Sequence, residues 1–103
     1  MNYSYIVRDE AVQELVDAVI WYEEQKEGLG VQFKEKFFSK LELICRYPLH
    51  YKASYKKFHE ALTDQFPFLI VYDVNEKTKQ ITVIAIFHTS RNPKKKFKKT
   101  RLK

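Results

Sequence analysis

Residues 66–74 and 80–88 are two strongly apolar runs separated by the polar link Asn75-Glu76-Lys77-Thr78-Lys79, and this pattern constrains the fold more than any other in the chain. Both runs are rich in β-branched and aromatic residues, and a five-residue link suits a hairpin. The pattern therefore predicts two adjacent antiparallel strands. In the first, Phe68, Ile70, Tyr72 and Val74 alternate with Leu69 and Val71; in the second, Ile81, Val83, Ala85 and Phe87 alternate with Thr82, Ile84 and Ile86. Both strands are thus apolar on both faces, unlike those of a half-solvated antiparallel sheet. One layer of helices covers only one face. The other must curl over, be capped by the C-terminal segment, or be kept for a partner.

The preceding sequence supplies the helices. Residues 3–7 are β-prone and read as a short first strand. Asp9 offers an N-cap, and Val12, Leu15, Val16, Val19 and Tyr22 recur at helical spacing, with Glu14, Asp17, Glu24 and Glu27 off that face. Gly28 is expected to end this helix and Gly30 to open a turn. A second helix is expected over about 31–47, with Phe33, Phe37, Leu41, Ile44 and Cys45 on its buried stripe and Pro48 as its stop. So short a link makes the two helices an antiparallel hairpin. Residues 55–61 read as a weak strand of mixed polarity. The expected fold is α+β: an N-terminal strand beside the last one, the helical hairpin, and a three-stranded antiparallel meander, four strands in all. A length of 103 residues suits a single domain, 1–103, ending in a basic tail at 94–103.

Charge is distributed unevenly. The last ten residues carry +7 and the preceding 93 carry −1, so the whole net charge of +6 belongs to the tail. A near-neutral body with a cationic end is suited to meeting an anionic surface or to being neutralised by an acidic partner. The one cysteine, Cys45, has no internal disulfide partner and reads as a small core residue. The first ten residues lack the apolar core of a signal peptide and no window reaches the length of a membrane span, so a reduced, cytoplasmic setting is expected, with no membrane partner. No glycine-rich phosphate loop and no Cys/His spacing suited to zinc is present, and no cofactor is implied. Trp21 and Tyr22 read as packing residues of the helical hairpin.

Three groups of residues resemble a known family. They are Phe66-Pro67-Phe68 leading into Val71-Tyr72, then His88-Thr89-Ser90-Arg91-Asn92-Pro93, and Tyr22-Glu23 with Gly28-Leu29-Gly30 ahead of Phe33. Over nearly the whole chain they resemble the ParE/RelE toxin superfamily, the toxin halves of bacterial type II toxin–antitoxin pairs. The resemblance implies an antitoxin partner that wraps an otherwise disordered, often acidic segment around the toxin. It also implies one of two targets. ParE-like members poison DNA gyrase without catalysis; RelE-like members cut messenger RNA on the ribosome with a metal-free cluster of basic side chains.

For the nuclease, the candidate catalytic residues are His59, His88 and Arg91, with Lys56 and Lys57 nearby; such chemistry needs a proton acceptor, a proton donor and a positive charge facing phosphorus. No tyrosine follows Tyr72, so the C-terminal phenol of several RelE-like nucleases is absent. Where ParE-like members often carry an arginine pair upstream of the Phe-Pro, this chain has His59 and Glu60. The balance favours the ParE-like, gyrase-directed branch. Lys56, Lys57, Arg91, Lys94, Lys95, Lys96, Phe97 and Lys98 are the candidate target- or antitoxin-binding residues. The alternatives are the ribosome-dependent ribonuclease and an inactive relative that only binds.

Overall fold

A computed structural model describes residues 2–55 and 57–90. Strand β1 (Ser4–Val7) leads into helices α1 (Asp9–Gln25) and α2 (Leu29–Arg46), followed by β2 (Ala53–Tyr55), β3 (Phe58–Leu62), β4 (Phe68–Asn75) and β5 (Gln80–His88). The sheet has five strands in the order β1-β5-β4-β3-β2. β1 runs parallel to β5 and every other pairing is antiparallel. The expected α+β class, the helical hairpin and the placing of the first strand beside the last all hold. The expected fourfold sheet gains a strand, because the weak segment around residue 56 is two short strands, β2 and β3, rather than one over 55–61.

The helix boundaries differ from those the sequence predicts. Arg8, in extended conformation, is the N-cap of α1, and Asp9 lies one residue inside. There, with Glu10, it faces the positive end of the helix dipole. Gly28 caps the start of α2 rather than the end of α1; it sits at φ 87°, in the left-handed region that suits glycine. Gly30, expected in a turn, is inside the first turn of α2. The Glu23 carboxylate reaches across the link and accepts hydrogen bonds from the Gly28 and Gly30 N–H groups at 2.8 and 2.9 Å. One acidic side chain of α1 thereby satisfies two donors at the start of α2. A Cβ on Gly30 would lie 2.6 Å from the Val19 carbonyl oxygen, so the helices approach there only because the side chain is missing.

α2 buries the expected stripe: Phe33, Phe37, Leu41, Ile44 and Cys45. α1 does not. Its buried residues are Ala11 and Ala18, flanked by partly buried Leu15, Val19 and Tyr22, whereas Val12 and Val16 are each 42% exposed. Ala11, Leu15, Ala18 and Tyr22 recur at i, i+4, i+7 and i+11 and form one ridge along the helix. The small alanines let α1 sit close against β5, and the bulkier valines are turned off that ridge.

A bulge corrects the strand faces as well. Val71 pairs with Ala85 but Tyr72 pairs with Val83, which leaves Ile84 as an extra residue. Ile81, Val83 and Ile86 therefore join Ile70 and Tyr72 in the core beneath the helices, while Ile84, Ala85 and Phe87 join Val71 on the opposite face. Alternation read straight through the strand puts Ala85 and Phe87 on the wrong side. Both faces are apolar, as expected. Where β1 ends, a helix side chain takes over its partner: the Ile86 N–H donates to Glu14 Oε1 at 2.8 Å.

Removing the Glu23 carboxylate or filling the Gly30 gap should loosen the hairpin. Glu23→Ala is expected to cost about 1–2 kcal/mol, the scale of a lost helix cap. Gly30→Ala should cost about 1–3 kcal/mol, the scale of overpacking. Urea denaturation of each variant measures both, and an unchanged midpoint in Gly30→Ala would show that the helices can part without loss.

Candidate functional site

The Phe-Pro-Phe segment builds an aromatic floor at one end of the molecule. Pro67 has no N–H to give to a ladder, and β4 begins only after it. Gln65 adopts a left-handed φ of 69° to make the approach, and the Thr63 hydroxyl donates to the Phe66 carbonyl at 2.8 Å. Phe66 and Phe68 then meet Tyr22 of α1 and Phe33 of α2, with ring centroids 4.9–6.0 Å apart. Trp21 stands edge-on to Tyr22 at 5.2 Å and is 56% exposed, so it is not the packing residue the sequence suggested.

Between α1 and the paired ends of β4 and β5 this floor opens into a groove. Two adjoining cavities, of about 380 and 200 Å³, share Ala18, Phe68 and His88 in their walls. The larger is completed by Trp21, Tyr22 and Ser90, the smaller by Glu14, Asp17, Ile86 and Phe87. One end of the groove is thus aromatic and the other acidic. Burial pushes the Tyr22 phenol up from its ordinary range, so it stays protonated at neutral pH.

His88 lies at the centre of the groove, edge-on to Phe68. The Ser90 N–H donates to its Nδ1 at 3.0 Å, with Ser90 Oγ 2.8 Å from the same nitrogen. A nitrogen that accepts from an N–H is unprotonated, so the neutral ring carries its proton on Nε2. His59 has the opposite arrangement. Its Nδ1 lies 2.8 Å from the Tyr51 carbonyl oxygen, an obligate acceptor, so Nδ1 holds the proton and Nε2 is the accepting atom. Its ring stacks on Tyr72 at 5.3 Å and 18°. The buried Tyr72 hydroxyl donates to the Pro48 carbonyl at 2.7 Å, and burial, with a smaller contribution from Tyr51, drives its pKa far up. It is a structural phenol.

The register keeps the two histidines apart. His59 pairs with Tyr72 and His88 with Phe68, so they sit on β3 and β5 with β4 between them and four residues of offset. At strand spacing and rise that offset amounts to roughly 16 Å. Both share the helix-covered face, at opposite ends. Lys57 goes to the other face, where its Nζ lies 3.6 Å from Asp73 Oδ2 in an exposed pair that contributes little to stability. The described candidates for a nuclease centre therefore do not converge. Lys56, Arg91, Lys94, Lys95, Lys96, Phe97 and Lys98 lie outside the described residues. No group of three or more His, Cys, Asp or Glu among the described residues is placed to hold a metal ion, and no described helix is long and apolar enough to cross a membrane.

The sequence reading marked His88 but missed its surroundings. Glu14 and Asp17 read as solvated charges, and Ala18 carried no signal at all. The 3.6-residue period did place Glu14, Ala18 and Trp21 along one side of α1, which was the available clue.

The tautomers are directly measurable. Long-range ¹H–¹⁵N spectra at neutral or mildly alkaline pH are expected to show a protonated Nδ1 in His59 and a protonated Nε2 in His88. The same tautomer in both would contradict the hydrogen bonding described above.

The comparisons with known proteins agree on the family. The sequence profile described as "ParE toxin of type II toxin-antitoxin system, parDE" matches residues 5–93. No curated protein sequence matches the chain significantly. Among solved structures the fold is similar to the chromosomal ParDE system of P. aeruginosa, with a TM-score of 0.74 at 12% identity, covering 85% of this chain and 97% of that one. It is also similar to a chain of the intact E. coli RelBE toxin–antitoxin complex (TM-score 0.66, 17% identity, 86% and 99% coverage). The isolated E. coli RelE toxin gives 0.63 at 15% identity, covering 98% and 99%. The chain belongs to the ParE toxin family, within the ParE/RelE superfamily of type II toxins.

Proposed function

We propose that this ParE-family chain is a non-catalytic toxin directed at DNA gyrase and held inactive by an antitoxin. The observation that carries the non-catalytic part is the register: His59 and His88 present opposite nitrogens at opposite ends of the sheet, and Lys57 points to the other face. Metal-free cleavage of RNA needs an acceptor for the 2′-hydroxyl proton and a donor for the leaving oxygen around one phosphate. Two groups roughly 16 Å apart cannot serve the same phosphodiester. The match of residues 5–93 to the ParE profile supports the gyrase-directed branch.

An antitoxin fits the surface in general terms. Solved relatives include a ParDE system and a RelBE toxin–antitoxin complex. The described surface leaves Val12, Val16, Ile20 and Trp21 of α1 each more than 40% exposed. A segment that folds as it binds can cover such scattered apolar sites together. Arg91, Lys56 and Lys57, with the lysines and Phe97 of the tail, remain the residues proposed for contact with target or antitoxin.

Tightly regulated expression of the chain alone in bacteria tests this. Growth is expected to stop with DNA synthesis failing first and the DNA-damage response induced, and His59→Ala and His88→Ala are expected to leave the arrest in place. Translation failing first, with messenger RNA cut and both effects lost in either variant, would establish the ribonuclease instead. Normal growth with soluble protein would leave only a binding role.

A further inference from the structure

The charge of α1 is one-sided. Asp9–Gln25 contains six carboxylates and not one lysine or arginine, although the chain as a whole is basic. Two of the six, Glu14 and Asp17, face the groove. Glu14 is engaged with the Ile86 N–H, and Asp17 Oδ1 takes a hydrogen bond from the Gln13 amide at 2.9 Å. Asp17 and Trp21 stand four residues apart, so the carboxylate and the exposed indole are neighbours on one side of the helix. Between them Ala18 leaves the space that a larger side chain would fill, floored by Phe68.

An anion beside an exposed aromatic ring at the mouth of an apolar cavity is suited to a guanidinium on an apolar stem. The carboxylate accepts its hydrogen bonds and the indole face attracts the cation. We infer that the groove receives a basic, amphipathic segment of a partner protein. A bulky apolar side chain seats over Ala18 and Phe68, and an arginine one helical turn away pairs with Asp17 and stacks on Trp21. Acidic segments are repelled by the same six carboxylates, and so is the α1 of a second copy. The inference rests on the reading that the chain is held by a protein partner, and it specifies the chemistry of one contact in that complex.

Trp21 is the only tryptophan, so its fluorescence reports on this groove directly. The probes are two labelled helical peptides of about 15 residues, a length at which a helix begins to hold. They share one leucine stripe; arginine flanks it in the first and glutamate in the second. The arginine peptide is expected to shift the Trp21 emission and to bind the full-length chain more tightly than its glutamate twin. By peptide anisotropy, Asp17→Asn is expected to weaken binding about two- to five-fold, the range of an exposed ion pair. Trp21→Ala should weaken it about two- to five-fold, the range of an exposed cation–π contact. Glu76→Gln, which removes the same charge from the β4–β5 link at the far end of the ribbon, should leave it unchanged.

Three results would overturn the inference. The first is equal or tighter binding of the glutamate peptide. The second is no binding of either peptide. The third is arginine-peptide binding that appears only in a full-length variant carrying K94Q, K95Q and K96Q, which would make the chain's own basic end the occupant. Each of these is independent of whether the chain arrests growth, so failure here is distinguishable from failure of the gyrase reading.

Discussion

β4 and β5 pair along their whole length, from Phe68 with His88 to Asn75 with Gln80, and the rest of the molecule is mounted on that ribbon. Its helix-covered face, with Ile70, Tyr72, Ile81, Val83 and Ile86, receives Phe37, Leu41 and Ile44 of α2 and Ala11 of α1. Burying a large aliphatic or aromatic side chain contributes about 1.5–3 kcal/mol, so this shared layer is the main source of stability. β1 adds to the outer edge of β5 and β3 to that of β4. The turn itself is locked locally: Asn75 Oδ1 accepts from the Lys77 and Thr78 N–H groups at 3.0 and 3.1 Å. Weakening the ribbon would release the helices and both edges together.

The ribbon also fixes where chemistry can occur. Because β4 separates β3 from β5, any residue of β3 is two strand spacings from its counterpart on β5. The offset between Tyr72 and Phe68 then carries His59 and His88 to opposite ends. Each histidine is held in one tautomer by a local partner, the Tyr51 carbonyl for His59 and the Ser90 N–H for His88. Such fixed rings are suited to packing and recognition. The groove around His88 depends on the same ribbon: Phe68 and His88 are cross-strand partners, and α1 is brought over them by Ala18 and tied to the β5 edge through Glu14.

Much of this was legible in the sequence, for physical reasons that differ by element. Residues 80–88 were read to the residue, because a run bounded by a polar turn and dense in β-branched side chains has few other solutions. The stripe of α2 was equally plain, since its bulky residues fall at one helical spacing. α1 was misread because its contact ridge is built on Ala11 and Ala18, and hydrophobicity weights Val12 and Val16 above them. The bulge at Ile84 leaves no mark in the alternation, so every residue beyond it was assigned to the wrong face. His88 could be singled out as the end of a strand. Its distance from His59 could not, because register is a property of pairing rather than of either strand. The groove was hidden for a related reason: it consists of a space left by an alanine between residues from three elements.

The central claim is that this ParE-family fold acts on its target by binding and not by cutting. Incubating the purified chain with purified gyrase and supercoiled DNA tests it most directly. The account predicts that the chain inhibits gyrase or traps it on cleaved DNA, equally well with His59→Ala and His88→Ala in place. Gyrase untouched, with messenger RNA cut on purified ribosomes and the cutting abolished by either substitution, would contradict it.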